Sequence, residues 1–432
     1  MRWPFPKTPL HLALLAFTLL LPSALAQAAP QGPLSIPWRR ELPPVLPQGA
    51  SGSVAIDHGH FAAGKDAVFT LEGGKLVRRT PDTNAMKAWS RETDLVGTPL
   101  PASTQVYVTD DQGAVLAFDA SSMQRLWRFP LTAPPQSLVP AGPVLLVEGS
   151  GVITALSNQT GKPVWEVRGV DRDHTANHPL FVGGIVLVNH SPAESFQGEV
   201  YTGHDPATGK RLWRQSLGHG YLLGHNGNTL IFDARDWHNL LDDQGRFRLA
   251  EVDARTGKRR DFSHSLAALP GKLGLWNVTA GTPAIDADGT LWLVLEARNG
   301  GGARLARITR RKELRLWPLP PSRANSIAVD LISARLALTP DTVVVAAPDG
   351  QITTLNRQTG KTVSVALPGF RGTLSLTPLG DLMGVSREGG GTVILDAMGR
   401  VKFRVEDGGT PARLGQNLFV SNQKALFGFP LP

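Results

Sequence analysis

One phrase, written four times, limits what this chain can fold into more than any other feature. It reads HDPATGKRLWRQSL at residues 204–217, LSNQTGKPVWEVRG at 156–169, VDARTGKRRDFSHS at 252–265 and LNRQTGKTVSVAL at 355–367. Gly161, Gly209 and Gly257 step by 48 residues, and Gly360 follows after about twice that gap. A fixed period of this length marks a repeat architecture. One degenerate copy, LARITRRKELRLWPL at 305–319, fills the long gap. Weaker copies sit at 76–89, 116–127 and 393–403.

The phrase has local physics. An Asp or Asn at its start bonds its own backbone two residues on, forming an Asx-turn. The Gly takes the positive-φ position that closes a hairpin with a bulge. A Trp then lies on the next strand, large enough to fill the gap between one sheet and its neighbour. Trp89, Trp127, Trp165, Trp213 and Trp317 are expected in this inter-blade role. Phe403 is a lesser substitute, and Asp261 and Ser364 break the pattern. Between the copies run short segments rich in β-branched residues, such as QVYVTDD, GIVLVNH and TVVVAAPD, each bounded by Gly, Asp, Asn or Pro. That is the strand signature, and no sustained helical period competes with it. A small sheet of this kind buries one face only by packing on the next copy, and radial stacking into a ring leaves no large open edge.

The N-terminus reads as an export signal. Arg2 and Lys7 precede the apolar run LHLALLAFTLLL (10–21), and Ala24 and Ala26 offer small residues for cleavage. The expected organisation is a signal peptide at 1–26, a Pro/Gly-rich segment at 27–52, and the repeat array at 53–432. No later run is long enough to span a bilayer, so the mature form is expected to be exported, periplasmic or secreted, without a transmembrane segment. Loss of Arg2 and Lys7 lowers the formal charge from +8 to +6. The basic pairs Arg39–Arg40, Arg78–Arg79, Arg259–Arg260 and Arg310–Arg311 read as solvated turns, with weak attraction to an anionic surface as the alternative. The absence of a binding motif in an exported chain argues against nucleic acid. The chain has no cysteine, which excludes disulfides, thiolate metal sites and lipid attachment through sulfur.

Gly–strand–Asp-x-x-Thr-Gly-Lys-x-x-Trp resembles the repeat of PQQ-type quinoprotein β-propellers, over nearly the whole mature chain. The resemblance implies an all-β fold, a single PQQ-like propeller with eight four-stranded blades as the expected count. The stretch from Ala412 and the lone Trp38 strand would make a ninth blade if they combine. Two branches of the family differ in function. In PQQ-dependent alcohol dehydrogenases the propeller holds the quinone with calcium, and an Asp acts as base. Other members are non-catalytic exported propellers, including a lipoprotein that assists outer-membrane barrel assembly. This chain is short for the enzymes and lacks their adjacent-cysteine pair. Its Asp residues occur mainly in turns, DADG at 286–289 among them. No catalytic, cofactor-binding or metal residue is therefore assigned, and no cofactor is expected. PQQ with calcium belongs to the enzyme alternative. The expectation is a protein-binding or assembly scaffold with an envelope or extracellular protein as partner.

A third alternative, a metal- or ligand-sensing propeller, rests on seven of the eleven histidines falling between His174 and His238. Their spacings match no metal motif. For a partner, the candidate surface is the loop carrying Trp237, Leu240 and Leu241 among Asp236, Asp242 and Asp243. An apolar tip rimmed by charge is what an interaction surface looks like. It belongs to a set of long insertions at 189–199, 233–246 and 296–304. These are expected between the first and second strands of their repeats.

Overall fold

The structure is a computed structural model. It describes residues 53–55, 60–80, 86–171, 174–192, 198–217, 222–234, 246–265, 276–278, 284–297, 303–311, 313–320, 335–372, 374–387, 391–405, 408–421 and 425–431. The chain divides into two units, 1–41 and 42–432. The first unit, the expected signal peptide, and the segment at 27–52 with Trp38 lie outside the described residues.

In the second unit every described element is a strand, and the strands form nine antiparallel sheets. Eight follow one another along the chain at 61–89, 95–129, 137–167, 174–216, 222–265, 276–318, 335–366 and 374–405. Each is a four-stranded meander; the sixth carries an extra short strand, Ala284–Ile285, beside Leu291–Ala297. The ninth takes three strands from 412–430 and its fourth from Ser53–Ala55, with Ser53 opposite Phe427.

The expected count of eight blades is thus corrected to nine. The last copy has no Thr-Gly turn and no Trp, and its fourth strand comes from the other end of the chain. Neither signal of the phrase marks it. The shared sheet is also the closure device, because it ties the ends of the propeller by backbone hydrogen bonds instead of leaving two open sheets.

The core is divided among the joints between neighbouring sheets. Leu71 and Leu116 share one cluster, Trp127 and Leu145 the next, and Ile153 and Val186 the third. The series runs on to Ile394 with Leu418 and ends with Phe61 and Val68 of the first sheet against Phe419 and Leu426 of the ninth. That last cluster closes the ring. Middle strands are pressed on both faces, which explains why Thr342–Ala346, Gly391–Leu395 and Asn417–Ser421 are buried along their whole length. Such strands read as continuous apolar runs, not as alternating ones.

All four strong copies of the phrase form the turn between the third and fourth strands of their sheets. The insertions at 189–199, 233–246 and 296–304 join second to third strands, as the flanking strands show. The expectation of first to second strands was off by one strand, because the opening strand of each repeat is the least regular in sequence.

Candidate functional site

The repeated turn behaves as its residues dictate. Asp205 Oδ1 accepts from the backbone of Ala207 and Thr208 and from the Thr208 hydroxyl, at 2.8–3.1 Å. Asp253 and Asn356 repeat this set. The same donors hold the carboxyls low: Ser121 Oγ and then Ser122 pull Asp119 to about 2, and Thr208 and Thr256 lower Asp205 and Asp253. Gly209 closes the turn at φ 70°, its N–H bonded to the Asp205 carbonyl.

The Gly has a second reason to be there. A Cβ on Gly161 would come within 2.6 Å of Trp127, on Gly209 within 2.5 Å of Trp165, and on Gly257 within 2.5 Å of Trp213. In each case the indole belongs to the preceding sheet. Its Nε1–H donates to a carbonyl of the same turn: Trp127 to Asn158, Trp165 to Pro206, Trp213 to Ala254, at 2.6–2.9 Å. A bulge aims the ring. The third and fourth strands slip in register beside Trp89, Trp127, Trp165, Trp213 and Phe403.

The five tryptophans are placed differently. Trp127, Trp213 and Trp317 are buried, Trp165 is half-buried, and Trp89 is 56% exposed. Beyond Trp89, the turn has Met123 where the others have Gly, at φ 58°. The Met123 side chain is itself buried in the joint and occupies the core there. Trp317 stacks on Trp292, with the Arg315 guanidinium over its ring. DADG is a turn: the Gly289 N–H bonds the Asp286 carbonyl, and Asp286 Oδ2 takes the Trp292 indole and pairs with Arg357.

Of the seven histidines, four lie in the fourth sheet, and two of them, His190 and His204, meet there. Thr202 Oγ1 lies 2.7 Å from His190 Nε2 and 2.8 Å from His204 Nε2, while His204 Nδ1 lies 3.0 Å from the Gly209 carbonyl. The tautomers follow. His204 donates from Nδ1 and accepts the Thr202 proton at Nε2. His190 then donates to Thr202 from Nε2, which leaves its Nδ1 buried and unpartnered, as observed. Burial first, then the charges of His204, His174, Arg214 and Arg211, push His190 down to about 4. Burial likewise lowers His204. His174 is turned to Asp171 at 2.6 Å. His178 is at φ 46°, and its N–H bonds Glu148. His225 is exposed, and His219 and His238 lie outside the described residues. Among the described residues no group of three or more potential ligands is placed to hold a metal ion. The candidate loop of Trp237, Leu240 and Leu241 also lies outside them.

A site the sequence reading did not select lies between the fifth and sixth sheets. Here the repeated turn's Trp and Gly are both replaced, by Asp261 and by a turn without Thr-Gly, although Gly289 lines the joint. In the fourth sheet the bulge sets Trp213 opposite Gly203; in the fifth the strands stay in register, and Arg260 stands opposite Glu251 in the corresponding place. The facing turn of the sixth sheet is one residue shorter: Thr309 N–H bonds the Glu313 carbonyl, four residues on, where Asp253 reaches Lys258, five on. What remains is a cleft of about 230 Å³. Ile231, Leu249, Leu291, Ile308 and Phe262 form its apolar floor; Glu251, Arg260, Arg310, Thr229 and Thr309 form its polar rim. The usable signal was Asp261 in the Trp position followed by a copy without Thr-Gly.

Sheets joined in this way around a closed ring define a PQQ-type β-propeller. The chain belongs to the family described as outer membrane protein assembly factor BamB, whose model matches residues 35–144 and 124–366. It is 31% identical over 138 residues to outer membrane protein assembly factor BamB of Kangiella koreensis, covering 31% of this chain and 36% of that one. The BamB of Burkholderia pseudomallei is 26% identical over 185 residues, covering 40% and 47%. The alignments therefore span less than half of these curated relatives. Among solved structures, BamB from Moraxella catarrhalis has a TM-score of 0.48 at 16% identity, covering 88% of this chain and 97% of that one. A quinohemoprotein alcohol dehydrogenase from Comamonas testosteroni has a TM-score of 0.49 at 14%, covering 78% and 76%. Likeness at that level does not choose between the two.

Proposed function

We propose that this chain is an exported propeller that works by binding, as a scaffold in the assembly of outer-membrane proteins, with an envelope protein as its partner. The observation that carries the reading is the family match, which spans most of the propeller and is described by an assembly factor. The residue chemistry is in keeping with it. The hydrogen-bonding carboxylates of the repeats are committed to their own turns, and the buried histidines of the fourth sheet are committed to one another through Thr202. Groups already satisfied in this way hold a scaffold together and are not free for proton transfer. Scaffold function on a propeller lies in the loops at the ends of the ring, so the Trp237 loop remains the proposed contact, and Trp127, Trp165, Trp213 and Trp317 the proposed structural wedges.

The test is a deletion strain of the source organism. Outer-membrane barrels should be depleted or slow to reach their heat-resistant folded form, and in-cell crosslinking should capture a component of the assembly machinery. Unimpaired barrel assembly, together with PQQ- and calcium-dependent dye reduction by the purified chain on alcohols or aldose sugars, would establish the dehydrogenase reading instead.

A further inference from the structure

We infer that the cleft between the fifth and sixth sheets is a binding site for an aromatic side chain flanked by carboxylates on an extended peptide segment. The inference goes beyond the assembly reading and does not rest on it.

Three observations converge on this ligand. The first is shape. At neighbouring joints the same space is filled by the protein's own indole, from Trp127, Trp165 or Trp213. At this joint the described residues supply no indole, and about 230 Å³ stays open over a floor of Ile231, Leu249 and Phe262. An apolar cavity of about 150 Å³ suffices for benzene, so an indole or phenyl ring fits here.

The second is an acceptor in waiting. Each indole donates to the carbonyl of the residue that follows the turn's first residue: Asn158 after Ser157, Pro206 after Asp205, Ala254 after Asp253. In the sixth sheet the turn begins at Thr309, so the equivalent residue is Arg310, which lines the cleft. Glu251 on the opposite wall is a further acceptor for a ring N–H.

The third is charge. Arg260 and Arg310 are exposed at the rim, one from each wall, and neither enters an ion pair with another described residue. Lys258 and Arg311 are their near neighbours in sequence, whereas Arg259 turns the other way, to Asp261 and to the Ser216 carbonyl of the fourth sheet. Two free guanidiniums over an apolar floor recognise a carboxylate next to a ring, by bidentate hydrogen bonds and by stacking on the ring face. The segment is a polypeptide because the cleft opens beside Arg259–Ser265, a strand that pairs on one side only among the described residues. An extended chain can lie along such an edge and drop a side chain into the slot.

The test uses the full chain and dye-labelled, blocked peptides with the centres Asp-Trp-Asp, Asp-Ala-Asp and Lys-Trp-Lys, followed by fluorescence anisotropy at low salt. The expected result is binding of Asp-Trp-Asp at least tenfold tighter than of either control, weakening as salt is raised. Arg260→Trp places a ring opposite Glu251 and should close the slot, lowering affinity at least tenfold while the far-ultraviolet circular dichroism is kept. Arg310→Glu, at an exposed position, reads the charge without touching the floor and should weaken binding at least fivefold. Equal affinity for the three peptides, or unchanged binding in both variants, overturns the inference. Neither outcome bears on barrel assembly, which is read in cells.

Discussion

Trp213→Ala should cost this protein far more than Trp89→Ala, although both tryptophans follow a turn in the same repeat. The Trp213 ring is 8% exposed and packed with Leu187, Tyr201, Leu230 and Ala254. Truncating a buried aromatic to Ala typically costs about 3–5 kcal/mol, through lost burial and the cavity left behind. The deletion also leaves the Ala254 carbonyl without its 2.6 Å donor, an orphan worth about 1–3 kcal/mol when it stays dry. These terms overlap, so the expected loss is about 4 kcal/mol. Trp89 is 56% exposed, and Met123 already fills its joint; its removal should stay within about 0.5 kcal/mol, as for surface substitutions generally. Equilibrium urea unfolding by circular dichroism measures both, since the slope reports whether the transition stays cooperative. Equal losses for the two variants, or a loss under about 1 kcal/mol for Trp213→Ala, would refute the assignment of the indole as the part that seals a joint.

Gly257→Ala should be several times more damaging than Gly227→Ala, measured by the same unfolding curves. Both sit at positive φ, which costs an Ala about 1–2 kcal/mol, but a Cβ at Gly257 meets Trp213 at 2.5 Å and one at Gly227 meets nothing within 4 Å. Stability should fall as the pH drops from about 6.5 to about 4. The unfolded His190 takes up a proton at its ordinary value, while the folded one stays neutral until about 4. The full depression is worth roughly 3 kcal/mol at most, and His190→Gln should reduce the slope in that window, leaving the part that His204 supplies and the lower-pH loss from the turn carboxylates in place. Exported material should begin at or near Gln27, which N-terminal sequencing checks; a chain starting at Met1 would contradict it.

The turn was legible because its chemistry is local. An Asx oxygen, a Thr and a Gly within six residues fix a backbone shape with no help from the rest of the chain, so Asp205, Asp253 and Asn356 could be placed from sequence. The strands were legible for the same reason. What escaped was set by the neighbouring sheet. Whether an indole is buried depends on whether the next turn offers Gly or a larger residue, and Met123 decided this for Trp89 some thirty residues away. A ninth blade could be raised from the stretch after Ala412 but not chosen, because its closing strand, Ser53–Ala55, meets Ala425–Pro430 only when the ring closes. The histidines could be counted but not paired, because the meeting of His190 and His204 at Thr202 depends on the register of two strands.

The joints also explain why this cleft falls where it does. The wedges of Trp127, Trp165 and Trp213 combine three things: a bulge to aim the ring, a Gly in the next sheet to make room, and a turn long enough to carry the accepting carbonyl over the ring. Trp317 lacks the bulge and is held instead by stacking on Trp292. The fifth sheet has lost the bulge and the Trp; the sixth has lost the Gly and one residue of turn. Losing only the first pair would leave a turn hanging over an empty slot, and losing only the second would drive an indole into a side chain. Either half-change is destabilising, but both together leave an open joint whose core, from Leu223 to Ile308, is still continuous. The ring therefore tolerates a gap at this position without losing closure, because the hydrogen bonds that close it lie elsewhere, between Ser53–Ala55 and Ala425–Pro430. A fold that seals its other wedge-bearing joints with its own side chains, and leaves one lined by free arginines, has a place where an outside side chain can do what the indoles do within.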